Sequence, residues 1–129
     1  MQKNWLIVGC LFAAIAVILG AFGAHALKAS LPADKLATFE TGIRYQFYHA
    51  FAILITALLM TKYAHSFIDY AAYAFAIGIL FFSGSIYLLA TRELIGLTTY
   101  KWLGPITPLG GTLFIIGWVL LMVGIYRAS

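Results

Sequence analysis

The sequence predicts an all-α integral membrane protein, a four-helix bundle running up-down-up-down. Three observations carry that prediction. Hydrophobic residues make up 64% of the chain and charged residues only 9%, with a mean hydropathy of +0.98. A soluble domain of 129 residues needs far more polar surface than this to stay dispersed. The few charges are gathered between four apolar stretches, and the connections are short, which makes successive helices antiparallel neighbours. One domain is expected, with spans at about 5–26, 42–61, 69–91 and 107–126.

The charge pattern narrows the partners. A formal charge of +4, spread over several loops without a Lys/Arg run, suits anionic lipid headgroups and not nucleic acid. The single cysteine, Cys10, excludes an intramolecular disulfide and any multi-cysteine metal site, and is expected to pack as a small apolar residue. Ile7-Val8-Gly9-Cys10 resembles a lipoprotein cleavage box, but the apolar run before the cysteine, Trp5 to Gly9, is too short for a signal h-region. Ala24-His25-Ala26 resembles a signal-peptidase site, but the uncharged stretch before it is too long. The first segment is therefore expected to remain as an anchor.

Between Lys3 and Lys28 lie 24 uncharged residues, ample for a hydrocarbon core of about 30 Å. Trp5 stands where an interfacial aromatic belongs. Gly9, Ala13, Ala16, Gly20 and Ala24 form one strip of small side chains suited to close helix packing in lipid. A polar connection follows, and Pro32 with Asp34 marks the start of the second helix. That helix has only 17 uncharged residues, Tyr45 to Thr61, roughly 26 Å. After a turn at Lys62–Asp69 with a solvated His65, the third span has 22 uncharged residues, Tyr70 to Thr91. Ala71, Ala74, Gly78 and Ser85 lie within an arc of about 60° on it, a second close-packing strip. In the segment Gly104–Gly111, rich in proline and glycine, Thr107 as N-cap and Pro108 at N1 start the last helix, in preference to a re-entrant turn. Gly110, Gly117 and Gly124 then repeat every seven residues. These small-residue faces also offer contacts for a homo-oligomer.

The candidate site is the stretch from Glu40 to His49. On a helix, Glu40, Thr41, Arg44, Tyr45, Tyr48 and His49 fall within an arc of roughly 180°, leaving Ile43, Phe47, Ala50, Phe51, Leu54 and Leu58 for the other side. The polar stripe is expected to turn inward, with Glu40 and Arg44 paired at i, i+4. His25, Gln46, Ser83, Ser85 and Tyr87 complete the set of candidate polar residues. Ser83 and Ser85 can bond helix carbonyls or reach another helix.

Four groups of residues resemble one known family. They are Gly20-Ala21-Phe22-Gly23-Ala24-His25; Tyr45-Gln46 with His49; Phe82-Ser83-Gly84-Ser85 with Tyr87; and Thr107-Pro108-Leu109-Gly110-Gly111 leading to Gly117-Trp118. In this order, over nearly the whole chain, they are similar to the domain of unknown function 423 family of small bacterial inner-membrane proteins. The resemblance implies a four-helix multi-pass protein of the cytoplasmic membrane. It transfers no catalytic role.

Polar groups inside a membrane default to function, because Arg at mid-span costs about 2.5 to 3.5 kcal/mol on insertion scales. A structural network is the leading reading here, since headgroup contact removes most of that cost. No two histidines share an i, i+3 or i, i+4 spacing, so no metal is expected. No nucleophile elbow surrounds Ser83 or Ser85, so no catalytic residue is assigned, and no cofactor is expected. The expected function is a structural, accessory or partner-binding membrane bundle. A proton- or solute-coupled transporter or channel using Glu40, Arg44 and His49 is the alternative, with a lipid-binding protein or membrane enzyme third.

Overall fold

The computed structural model describes residues 1–128. Helix α1 spans Gln2–Phe22 and continues through a π-helical turn, Gly23–Leu27, into a last turn at Lys28–Ser30. Helix α2 spans Ala33–Leu59, α3 Ser66–Ala90 and α4 Ile106–Arg127, the last preceded by a 3₁₀ turn at Lys101–Leu103. The second helix begins beside Pro32, as expected, but Pro32 stands at its N-cap, one place before the first-turn position expected of it, with Asp34 in the first turn. His65, expected to be solvated, instead caps α3: its Nδ1 accepts the Phe67 N–H at 3.1 Å.

Each helix packs on the next, antiparallel. On α1, Gly9 meets Leu54 and Ala50 of α2, and Gly20 meets Ile43. Ala24, the last of the expected strip, is exposed. In the π turn the Lys28 N–H bonds the Gly23 carbonyl, and the shifted register turns Gly23 and Leu27 inward instead. The α3 strip of Ala71, Ala74, Gly78 and Ser85 is buried, as its arc predicted.

The closest approach is between α3 and α4. Gly110, Gly117 and Gly124 face Phe82, Phe75 and Ile68, which also recur every seven residues: the Phe75 and Ile68 side chains seat in the glycine positions of α4, and at Gly110 the backbone of Phe82 itself comes close. A Cβ at position 117 would stand 2.6 Å from the Phe75 ring. In lipid, where apolar attraction between helices is weak, this contact area holds the pair together.

α1 with its extension, α3, and α4 with its preceding turn are each long and apolar enough to cross a membrane. α2 carries Asp34, Lys35, Glu40 and Arg44 in its first half. It nonetheless joins the far end of α1 to the near end of α3 and packs along both, so it returns the chain across the bundle.

Several local expectations are corrected. Trp5 is not a boundary anchor on the outside: it is 8% exposed and packs edge-on against Tyr73, centroids 4.8 Å apart. Cys10 lies on the exposed side of α1. Thr107 does not cap α4; Pro105 takes the cap position, and Thr107, a residue further in, bonds Ser85. The segment Gly104–Gly111 thus contains the start of a helix, as preferred, two residues earlier than the cap reading placed it.

The face of α2 is the main correction. Ile43 and Ala50, assigned outward, are buried, while Glu40 and Arg44, assigned inward, are exposed. The cause is size: a Cβ at Gly42 would come within 2.8 Å of the Tyr87 ring, so α2 turns Gly42, Ala50 and Ala57 toward its neighbours and its charges away. Glu40 and Arg44 form no ion pair; Arg44 Nη2 donates to Thr41 Oγ1 at 3.2 Å. The ion pair present among the described residues joins Lys35 Nζ to Glu93 Oε1 at 2.9 Å, tying α2 to the loop after α3.

Gly117→Ala should destabilise the protein by about 1 to 3 kcal/mol through overpacking against Phe75. Gly84→Ala, with nothing within 4 Å of the new Cβ, should leave stability unchanged or raised; thermal unfolding in detergent distinguishes the two. The Lys35 hydrogen bond, reinforced by its charge and that of Arg92, holds Glu93 below the usual carboxylate range. A carboxylate whose folded value is depressed stabilises above its unfolded value, about 4.3, and loses that contribution as pH falls through the folded value. Glu93→Gln should therefore lower the melting temperature slightly at pH 7 and match the parent near pH 3, an effect kept small by solvent exposure. An equal difference at both pH values contradicts this.

Candidate functional site

The interior contains two apolar clusters. One, around Ile53, Ile68, Phe75 and Phe114, lies toward the end that holds the α2–α3 turn; the other, around Ala16, Leu27, Phe39, Ile43 and Ala90, lies toward the opposite end. The buried polar residues Gln46, His49, Ser83 and Ser85 come between them along α2 and α3, while buried Thr56 lies within the first cluster and bonds the Ala52 carbonyl of its own helix. They are there because these helices supply them one to two turns from glycines that let the backbones close: Gly42 on α2 and Gly78 on α3.

Gln46 is 2% exposed and joins three helices. Its Nε2 donates to the Phe12 carbonyl of α1 at 2.8 Å, and its Oε1 accepts the Tyr87 hydroxyl of α3 at 2.6 Å. Ser83 Oγ donates to the Gly42 carbonyl at 2.7 Å, a second α3-to-α2 bond. Ser85 Oγ donates to the Phe82 carbonyl at 3.0 Å and meets Thr107 Oγ1 of α4 at 2.5 Å. The two serines thus do both things expected of them, bonding backs of helices and reaching across.

His49 occupies the α2–α4 junction. Its Nδ1 lies 2.8 Å from the Tyr45 carbonyl, and its Nε2 lies 3.1 Å from Trp118 Nε1. A carbonyl only accepts and an indole N–H only donates. The imidazole is therefore the Nδ1–H tautomer with its Nε2 lone pair turned to Trp118. The ring stacks on Phe114 at 3.6 Å between centroids and 7° between planes. Beside it, Tyr45, Pro108, Thr112 and Trp118 border a groove of about 460 Å³ open to the outside.

The other candidates are placed elsewhere. Tyr45 contributes its carbonyl, while its ring is partly exposed and leans on Phe82, 4.9 Å between centroids. His25 is exposed on the π turn, and Glu40 and Arg44 are exposed on the outer side of α2. No hydrogen bond among the described residues joins these three to the interior cluster. Among the described residues, no group of three His, Cys, Asp or Glu could hold a metal ion. No buried side-chain nitrogen or oxygen among them lacks a partner.

Sequence reasoning missed Thr107 and Trp118 as members of the cluster. The available signal for Trp118 was its position next to Gly117 on the seam, combined with the need of an indole N–H for an acceptor.

Comparison with known proteins agrees with the fold. The family described as protein of unknown function (DUF423) matches residues 19–111. The UPF0382 membrane protein of Staphylococcus aureus is 40% identical over 126 residues, covering 98% of each chain. The UPF0382 membrane protein YwdK of Bacillus subtilis is 39% identical over 123 residues, covering 95% of each. A UPF0382 membrane protein of Haemophilus influenzae is 38% identical over 129 residues, covering all of this chain and 98% of its own. No solved structure matches. With four helices, three of them apolar enough to cross a membrane, an interior polar cluster and bacterial membrane relatives aligned end to end, the chain belongs to the DUF423 family of membrane proteins of unknown function.

Proposed function

We propose that the protein is a structural or accessory bundle of the cytoplasmic membrane, in which the interior polar cluster fixes how four helices meet. The membrane assignment is supported by its helical spans, since outer-membrane proteins of bacteria are built as barrels. The observation that carries the function is that the nitrogen and the oxygen of the Gln46 amide and both nitrogens of His49 each already have a protein partner. A group that moves protons or holds a solute needs a free lone pair or proton facing a path; these face the Phe12 and Tyr45 carbonyls, the Tyr87 hydroxyl and the Trp118 indole. Glu40, which a transport reading requires on the inside, is on the outer face. The bilayer is the surrounding partner. Self-association through the small-residue strips is not part of this reading, because those strips are buried within the chain against Leu54, Phe75 and Phe82.

Removing cluster members should therefore act on stability. Interhelical hydrogen bonds in membranes average about 0.6 kcal/mol and reach about 1.7. A buried partner left unpaired costs about 1 to 3 kcal/mol. Gln46→Leu, which strands the Tyr87 hydroxyl, should destabilise more than Tyr87→Phe, and the double variant should lose less than the sum. Thermal unfolding in detergent measures this cycle. The same proteins in liposomes with an entrapped pH dye should show no proton flux above protein-free vesicles. Solute-dependent flux abolished by His49→Ala or Glu40→Gln, with the melting temperature unchanged, would overturn the proposal in favour of a transporter.

A further inference from the structure

The outer face of α2 has no partner within the chain. Glu40, Arg44, Tyr48, Phe51, Ile55 and Leu58 are all exposed and recur at three- and four-residue steps, which keeps them within an arc of about 80°. The lower part of this stripe is large and apolar. The upper part holds an acid and a base, and neither meets an opposite charge in its own chain.

Depth makes this pair unusual. Phe39, next to Glu40, packs at Gly23 of α1, and Ile43, next to Arg44, packs at Gly20. Lys28, the first charge beyond them on α1, lies five and eight residues further on. At about 1.5 Å per residue, Glu40 is about 8 Å and Arg44 about 12 Å inward of Lys28. At the levels of Gly20 and Gly23 the exposed residues of α1 include Ile18, Ala21 and Phe22, and α3 exposes Leu88, all suited to hydrocarbon, with the formally neutral side chain of His25 next on α1 toward Lys28. α2 alone places an unpaired charged couple there, and α2 alone is not among the helices apolar enough to cross by themselves. A helix of that kind calls for cover from protein.

We propose that α2 is the interface of a homodimer, its outer face covered by the same face of a second copy. The occupant follows from self-complementarity. Two copies inserted in one direction are related by a two-fold axis along the membrane normal, which sets the two α2 helices parallel and makes the contact isologous. Identical residues lie level across such an axis, and long side chains bridge an offset of about one turn diagonally, as charged flanking positions do in parallel coiled coils, so Glu40 of each copy reaches Arg44 of the other, while Tyr48, Phe51, Ile55 and Leu58 pack below. An unlike partner would need its own inverse charge pair; a second copy carries it already. This interface does not depend on the interior network, and it would stand whether or not the protein transports a solute.

The test uses the full chain in native membranes with Cys10 replaced by serine. Phe51→Cys should give a disulfide-linked dimer on mild oxidation, whereas Ile18→Cys, equally outward on α1, should not. In the Phe51→Cys background, Glu40→Arg alone and Arg44→Glu alone each place like charges across the axis, and should reduce cross-linking by about tenfold or more. Co-expressed with different tags, these two variants should restore it as a mixed dimer, because each supplies the charges the other lacks. Restoration also shows that both variants fold. Cross-linking of Phe51→Cys no greater than of Ile18→Cys, or single variants that cross-link like the parent, would overturn the proposal. So would failure of the mixture to recover.

Discussion

Hydrocarbon offers no hydrogen bonds, and the interior of this protein is arranged around that fact. Gln46 is the central instance. One amide group on α2 links three helices at once, donating an N–H to a carbonyl of α1 and accepting a hydroxyl of α3 on its oxygen. An amide in that position has no water to fall back on, so each misplacement of α1 or α3 strands a polar group. Ser83 on the Gly42 carbonyl and Ser85 with Thr107 repeat the device between α3 and its two neighbours. Geometry of this kind supplies specificity that nonpolar packing in lipid does not, because a slide of one turn along a smooth apolar face changes little.

The glycines make these bonds reachable. Side-chain hydroxyls are short, and Ser83 reaches a backbone carbonyl of α2 only because Gly42 lets the helices close against Ile86 and Tyr87. On the other side of α3, the seven-residue repeat of glycines on α4 receives Phe82, Phe75 and Ile68. Small residues and polar residues are therefore two parts of one contact, the first setting the distance and the second the register.

Much of this was legible in the sequence, for physical reasons that differ by element. The four helices and their order could be read because apolar length and bunched charge are strong signals in a membrane protein. Glycine and alanine strips could be read as contact faces, since close approach demands small side chains at helical spacing. The orientation of α2 could not, because two demands competed on one helix. Its charges asked for shelter, while Gly42 and Ala50 asked for a neighbour, and packing prevailed. His49 was found as a candidate, but its partner Trp118 lies 69 residues away, a pairing that only the fold brings about. Cys10 and Trp5 were misplaced for a simpler reason: the register of α1 is set by Gly9 and Ala16, which turn Trp5 inward and Cys10 outward.

The protein thus has two kinds of polar face, an inner one closed on itself and an outer one on α2 left open. Nitrogen-15 NMR of His49 in lipid bilayers tests the first most directly. A closed interior predicts the Nδ1–H tautomer, with a scalar coupling from the Trp118 indole N–H into the His49 Nε2 lone pair. An Nε2–H tautomer, or an imidazole proton exchanging rapidly with bulk water, would contradict it.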